Sequence, residues 1–202
     1  MSVYSEGLHG SLLSGLTGMD CLVGLVMGIL SGVALTLMDR IDEHRIIERH
    51  RTLLAYLAAL ATAASMAWSI ELFPVLYPML FGLCVEWIVK NKIDFPSHVF
   101  CLFLLTLYFG ASLDLLLQFF PYIALFVAIR YLSGTVLRKK FGGHPGFSWF
   151  YASYSEKLAC NIALAIALSS VLPVIYGVGF TAACLWVKRL LPGHEMKISY
   201  DH

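Results

Sequence analysis

The chain of 202 residues is 59% hydrophobic and only 13% charged, and its mean hydropathy is +0.77. Soluble globular domains carry about 25% charged residues, so this composition indicates an integral membrane protein of the cell membrane. The net charge of +1 argues against nucleic-acid binding, because that function requires a basic surface. The length predicts a single integral membrane domain, residues 1–202.

The first apolar run, residues 21–38, predicts a helix with Asp20 placed to cap its N-terminus. Within it, Gly24, Gly28 and Gly32 recur every four residues and therefore share one helix face. A face without side chains lets a second helix approach closely. We expect this face to pack against another helix of the same bundle, and the alternative is a contact in a homo-oligomer.

After a polar stretch at 39–51, DRIDEHRIIERHR, the sequence alternates apolar runs with short polar connections. The later apolar runs cover 52–70, 74–89, 99–129 and 158–187. Their lengths favour helices that cross a bilayer once or twice.

A hydrophobic residue, a proline and two hydrophobic residues recur together around Pro74, Pro121 and Pro173. Arg51 precedes Pro74 by 23 positions, and His98 precedes Pro121 by 23 positions as well. Because proline is well tolerated at the first position of a helix, each proline is predicted to begin the second helix of a hairpin. One leading helix plus three hairpins predicts an all-α polytopic transmembrane helical bundle of about seven spans.

The charges orient this bundle. All fourteen Lys and Arg residues fall at or after Arg40, and nearly all of them cluster in 40–51, 90–92, 138–157 and 188–197. The opposite turns carry Glu71 and Asp114. Because an excess of Lys and Arg marks the cytoplasmic side, the N-terminus is predicted outside and the C-terminus in the cytoplasm.

Arg130 is the one basic residue outside these four clusters. If its helix starts at Pro121, Arg130 lies roughly 13 Å deep at 1.5 Å per residue, and Glu86 lies at a similar depth after Pro74. A charged residue within a membrane is costly and usually marks a functional site. We therefore predict that Glu86 and Arg130 pair at a substrate-binding site, with Lys90 nearby. The alternatives are an i,i+4 pair of Glu86 with Lys90, or an Arg130 side chain that extends to the interface.

Two similar polar patterns follow the inner ends of two predicted helices. Asp42 is followed by His44, and Asp94 is followed by His98. A carboxylate and an imidazole together can hold a divalent metal, or act as a base and its orienting partner. Asp42, His44, Asp94 and His98 are therefore candidate catalytic or metal-binding residues, with a divalent metal as the candidate cofactor. The alternative is a solvated turn.

The third inner loop carries six aromatic residues between positions 141 and 154, directly after Lys139 and Lys140. Such residues settle at the headgroup level of a membrane, so the loop is predicted to lie on the inner leaflet. His144 within it and Asn161, one turn inside the last hairpin, are further candidate substrate-binding residues.

The polar residues collect at one end of the predicted bundle, whereas ion and proton transporters place charged or broken-helix sites near the midplane. The leading hypothesis is therefore a protein that binds or processes an anionic lipid headgroup or a lipid-linked phosphate at the cytoplasmic leaflet. Arg130 and Lys90 would neutralise the anion. Whether the protein is an enzyme stays open. The alternatives are a small transporter or channel subunit, and a structural subunit of a larger membrane complex.

Overall fold

The computed structural model describes residues 16–43, 49–89, 93, 95–132 and 155–191. This part of the chain contains seven α-helices and no strand, which confirms the all-α prediction. The helices are α1 Gly18–Glu43, α2 Arg51–Leu72, α3 Tyr77–Val89, α4 Pro96–Ala111, α5 Leu113–Tyr131, α6 Ser155–Leu168 and α7 Leu172–Leu190. A short 3₁₀ turn, Pro74–Leu76, precedes α3.

In the ranges that the structure describes, three helices are long and apolar enough to cross a membrane: Gly18–Asp42, Arg51–Leu72 and Leu113–Tyr131. Shorter apolar helices cover Pro74–Val89, Pro96–Ala111 and Lys157–Leu168. The composition and these helices together agree with a protein that associates with a membrane.

Thr17 caps the first helix, with Asp20 as its reciprocal partner. The Asp20 carboxylate accepts hydrogen bonds from the Thr17 backbone N–H and hydroxyl, both at 2.8 Å. The Asp20 backbone N–H donates to Thr17 Oγ1 at 3.2 Å. This arrangement is a capping box, so Asp20 stabilises the helix start from the third helical position.

α1 and α7 run in parallel with a constant spacing in sequence. A Cβ added to Gly24 would lie 3.1 Å from Leu172, and one added to Gly28 or Gly32 would overlap the carbonyl oxygen of Tyr176 or Phe180. Arg40 reaches the carbonyl of Lys188, so all four contacts join residues 148 positions apart. The glycine face thus packs against α7 of the same chain.

α3 and α5 are also parallel. Gly82 lies against the ring of Phe126, and one turn further along both helices Glu86 bonds to Arg130. Each pair joins residues 44 positions apart. The second helices of two successive hairpins run in the same direction. The parallel arrangement of α3 and α5 therefore agrees with a hairpin of α2 and α3 followed by a hairpin of α4 and α5.

The helices pack in a closed ring of contacts around the bundle. α1 packs against α2 and α7, α2 against α4, α3 against α5, and α6 against both α5 and α7. The aromatic rings of Tyr77 and Phe109 join α3 to α4 at a centroid distance of 5.3 Å. Tyr77 is fully buried and also stacks on Phe81 and Phe119, so it anchors the apolar core.

The proline prediction is correct at two positions and wrong at the third. Pro74 begins the 3₁₀ turn before α3, and Pro173 lies in the first turn of α7. Pro121, however, lies inside α5, and the turn between α4 and α5 is at Ser112. Asp114 sits in the first turn of α5, where a carboxylate favours the helix start, whereas a membrane helix tolerates an interior proline.

Because the turn lies at Ser112 and not at Pro121, Arg130 is at a different depth in its helix than the sequence predicted. Counted from Leu113, Arg130 lies in the last turn of α5 and not near the middle of a helix. Glu86 lies three positions before the end of α3 at Val89. Both side chains are therefore close to the helix ends, although they are buried.

Candidate functional site

The described basic residues lie at one end of the bundle, which we call the basic end and which comprises the last turns of α1, α3, α5 and α7 and the first turns of α2, α4 and α6. The C-terminal turn of α1 contributes Asp39, Arg40 and Asp42, and the first turns of α2 and α4 lie beside it. Arg40 donates to the Lys188 carbonyl at 3.5 Å, which adds the C-terminal turn of α7.

Arg51 ties the start of α2 to the end of α1. Its Nε donates to the Ile41 carbonyl at 3.1 Å and its Nη2 to the Asp42 carbonyl at 2.5 Å. The Asp42 carboxylate lies 3.9 Å from the same Nη2. A guanidinium suits this place because the last carbonyls of a helix have no partner within it and carry partial negative charge.

Two side-chain contacts join α1 to α4. Ser97 Oγ donates to Asp42 Oδ2, and His98 Nε2 lies 3.0 Å from Asp39 Oδ1. Asp39 and Asp42 are three residues apart on one face of α1, and Ser97 and His98 are adjacent in the first turn of α4. Asp42, Ser97 and His98 are buried, whereas the Asp39 side chain is 33% exposed. The pairs thus fix the register between the two helices.

Glu86 and Arg130 form the strongest described ion pair of the basic end. Arg130 donates through Nε to Glu86 Oε2 at 2.7 Å and through Nη2 to Glu86 Oε1 at 2.6 Å. The side chains are 10% and 6% exposed. Two parallel bonds from a guanidinium to a carboxylate are short, directional and charge-assisted. The structure therefore contains the pair that the sequence predicted.

Asn161 lies at a helix crossing rather than beside that pair. It is buried in α6, and its side-chain amide occupies the space above Gly177 of α7, where a Cβ would overlap its nitrogen. The glycine thus makes room for the amide, and this contact holds α6 against α7.

Four predicted site residues, His44, Lys90, Asp94 and His144, lie outside the described residues. The other two members of the predicted catalytic or metal-binding set, Asp42 and His98, contact different partners, Ser97 and Asp39. Within the described ranges, no group of three or more His, Cys, Asp or Glu residues could hold a metal ion.

Sequence reasoning missed Asp39, Ser97 and Arg51. The signal for Asp39 was its spacing of three from Asp42, which puts both carboxylates on the same helix face. The signal for Ser97 was Pro96 before it, because a proline at the first helical position puts the next two residues in the first turn.

Away from the basic end, neutral hydroxyl groups join α1 to α2. Ser31 donates to Ser65 Oγ at 3.0 Å, while Thr62 and Ser69 donate to carbonyls of their own helix, Ala58 and Ser65. α1 carries no Asp, Glu, Lys, Arg or His between Asp20 and Asp39. The Ser31–Ser65 hydrogen bond thus joins α1 to α2, and the other two hydroxyls are satisfied within α2.

No protein-family model, curated protein or solved structure matches the chain. The fold and the site by themselves define an all-helical protein with membrane-length helices and a polar network concentrated at one end.

Proposed function

We propose that the protein is a multi-pass membrane protein of seven spans that binds an anionic lipid headgroup or a lipid-linked phosphate at the cytoplasmic leaflet. The observation that carries the proposal is the one-ended distribution of charge. Every Lys and Arg among the described residues belongs to the basic end, and these residues are Arg40, Arg49, Arg51, Arg130, Lys157, Lys188 and Arg189.

The opposite end supports the same orientation. Its described ionisable groups are acidic, with Asp20 and Asp114 in first helical turns and Glu71 in the last turn of α2. Glu71 accepts a 2.8 Å hydrogen bond from Tyr108 of α4. Because basic residues are retained on the cytoplasmic side, the basic end faces the cytoplasm and the N-terminus faces outward.

The parallel pairs support seven spans. α1 is parallel to α7 and α3 is parallel to α5, as expected when odd-numbered spans all run inward. The shorter helices, of 13 to 16 residues, are about 20–24 Å long at 1.5 Å per residue. Local thinning of the bilayer accommodates spans shorter than the hydrocarbon core.

The structure changes which cations we assign to the anion. Arg130 bonds to both oxygens of the Glu86 carboxylate and is only 6% exposed, so burial keeps it from a lipid headgroup, whereas Arg51 also bonds to α1 but stays partly exposed. Arg49 is exposed two residues before α2 begins at Arg51, and the Arg51 side chain is 27% exposed. We assign the phosphate to Arg49 and Arg51, with Lys90 as a further candidate. Asp42 and His98 would act with His44 and Asp94 if the lipid is also processed.

Native mass spectrometry of the full chain tests this proposal. The protein in detergent is offered equal amounts of phosphatidylcholine, phosphatidylglycerol and an isoprenoid phosphate. We expect the two anionic lipids to be retained in preference to the neutral one, and the stronger of the two identifies the source of the phosphate. Equal retention of all three lipids would refute the proposal.

The matched variants are Arg49→Gln and Arg189→Gln, which each remove one exposed cation from the basic end. A basic residue near an anionic surface contributes about 1 kcal/mol, so Arg49→Gln should weaken retention of the anionic lipid roughly fivefold. Arg189→Gln should change it little, because α7 packs mainly against α1 and α6 and not against α2, where the phosphate is placed. Equal losses in both variants would indicate general attraction without a site at α2.

A further inference from the structure

An aromatic groove lies between α2 and α4 and opens beside the basic end. Its volume is about 560 Å³, and it is lined by Tyr56, Ile93, Phe95, Pro96, Val99, Phe100 and Phe103. The rings of Tyr56 and Phe100 form its back wall, with centroids 5.2 Å apart in an edge-to-face contact. Val99 is 51% exposed and Phe103 is 56% exposed, so the groove faces outward from the bundle.

The groove is continuous with the polar contacts of α1. Pro96 lines the groove, and the next residue, Ser97, donates to Asp42, whose carboxylate and carbonyl lie next to Arg51. From Phe95 to Phe103 the groove extends about 12 Å along α4 at 1.5 Å per residue. The apolar groove thus begins at Pro96, one residue before the polar contacts that connect Ser97, Asp42 and Arg51.

We infer that this groove holds an acyl chain of the anionic lipid whose phosphate binds at Arg49 and Arg51. The inference rests on the proposed function and adds a second site to it. Charge complementarity selects the occupant. Arg49 is exposed just before α2 and Arg51 is partly exposed in its first turn, while Tyr56 of the same helix belongs to the groove lining. Cations followed along one helix by an aromatic wall match a molecule with an anionic head and an apolar tail. Burial of successive methylene groups supplies the affinity of the tail.

Photocrosslinking in vesicles tests the groove. The full chain is reconstituted in phosphatidylcholine with a small fraction of phosphatidylglycerol that carries a diazirine in its acyl chain. We expect crosslinks at Phe100 and Phe103 at least fivefold above those at Leu117 and Phe120. The latter two are 76% and 63% exposed and therefore report ordinary boundary lipid.

Two tryptophan variants of α4 form a matched pair. Val99→Trp fills the groove and should reduce the crosslinks at Phe103 to the level of Leu117. Leu107→Trp adds the same ring to a position that is 57% exposed and outside the groove lining, so it should leave the crosslinks unchanged. Equal melting temperatures of the two variants establish that both are folded.

The outcomes separate the groove from the headgroup site. If phosphatidylcholine with the same diazirine labels the groove as strongly, the groove does not select an anionic lipid and the inference is overturned, while retention in native mass spectrometry still decides the headgroup site. If native mass spectrometry retains anionic lipid but Phe100 and Phe103 are labelled no more than Leu117, the groove proposal fails alone. A dimer by light scattering, with a disulfide between two copies of Phe103→Cys, would replace the lipid by a second chain and overturn the inference.

Discussion

Arg130 and Glu86 face each other in parallel helices, and each nitrogen–oxygen contact between them, Nε to Oε2 and Nη2 to Oε1, is shorter than 2.8 Å. The pair lies one turn of helix beyond the contact of Gly82 with Phe126. A directional polar contact and a tight apolar contact therefore fix the same two helices at successive turns.

Removing one charge of this pair should destabilise the fold. Glu86→Gln or Arg130→Gln removes one charge of a nearly buried, doubly hydrogen-bonded ion pair, and breaking such a pair costs about 3–5 kcal/mol of unfolding free energy. The double substitution should recover part of that loss. Thermal melting in detergent, arranged as a double-mutant cycle, measures the coupling.

Glu71→Gln is the matched control for Glu86→Gln. Glu71 is exposed and accepts one hydrogen bond from Tyr108, so its substitution should cost less than about 1 kcal/mol. Equal effects at positions 71 and 86 would show that burial of the pair does not determine its contribution.

Gly28→Ala should weaken the contact between α1 and α7. The added Cβ would overlap the Tyr176 carbonyl oxygen, and a backbone atom cannot move aside as a flexible side chain can. Overpacking of this kind costs about 1–3 kcal/mol. Gly110→Ala in α4 is the control, because a Cβ there meets no atom of the described residues within 4 Å. It should be neutral or stabilising by up to about 1 kcal/mol in the same melting experiment.

Arg51→Lys should loosen the end of α1 although it keeps the charge. An ammonium group cannot reproduce the fork that reaches the carbonyls of Ile41 and Asp42 together, and losing one charged hydrogen bond costs about 2 kcal/mol. Hydrogen exchange should become faster in the last turn of α1. Arg49→Lys, at an exposed position, should leave exchange there unchanged. Identical exchange in both variants would contradict the capping role of Arg51.

Cysteine labelling tests the orientation. Four native cysteines are buried and Cys21 is partly exposed, so Cys21→Ser provides the background. With a membrane-impermeant maleimide on intact cells, Asp114→Cys should react and Arg49→Cys should react only after permeabilisation. The reverse pattern would invert the topology. Reaction of both in intact cells would exclude the alternating spans altogether.

The sequence predicts the helices well because apolar length and proline position act locally. The run 52–70 corresponds to α2, and Pro74 lies at a real break. Pro121 misled the prediction, since a proline inside a membrane helix and one at its start look alike when only the hydropathy around them is considered. The break at Ser112 was marked only by small and polar neighbours.

The Glu86–Arg130 ion pair could be predicted because the sequence offers few other charges that could pair with either residue. Glu86 and Arg130 are isolated charges in long apolar runs, so their pairing followed from their scarcity. The contacts of Asp39 with His98 and Asp42 with Ser97 depend on how α1 and α4 are rotated towards each other. That rotation is set by packing of the whole bundle, and no local pattern determines it.

The seam between α1 and α7 makes assembly of the bundle a late event in biosynthesis. Gly28 and Tyr176 are separated by 148 positions, so translation at 5–20 residues per second delays their contact by roughly 7–30 s. Until α7 emerges, no partner covers the glycine face of α1. In the proposed membrane setting, lipid would then contact that face in the nascent protein, and α7 would displace the lipid as the bundle closes.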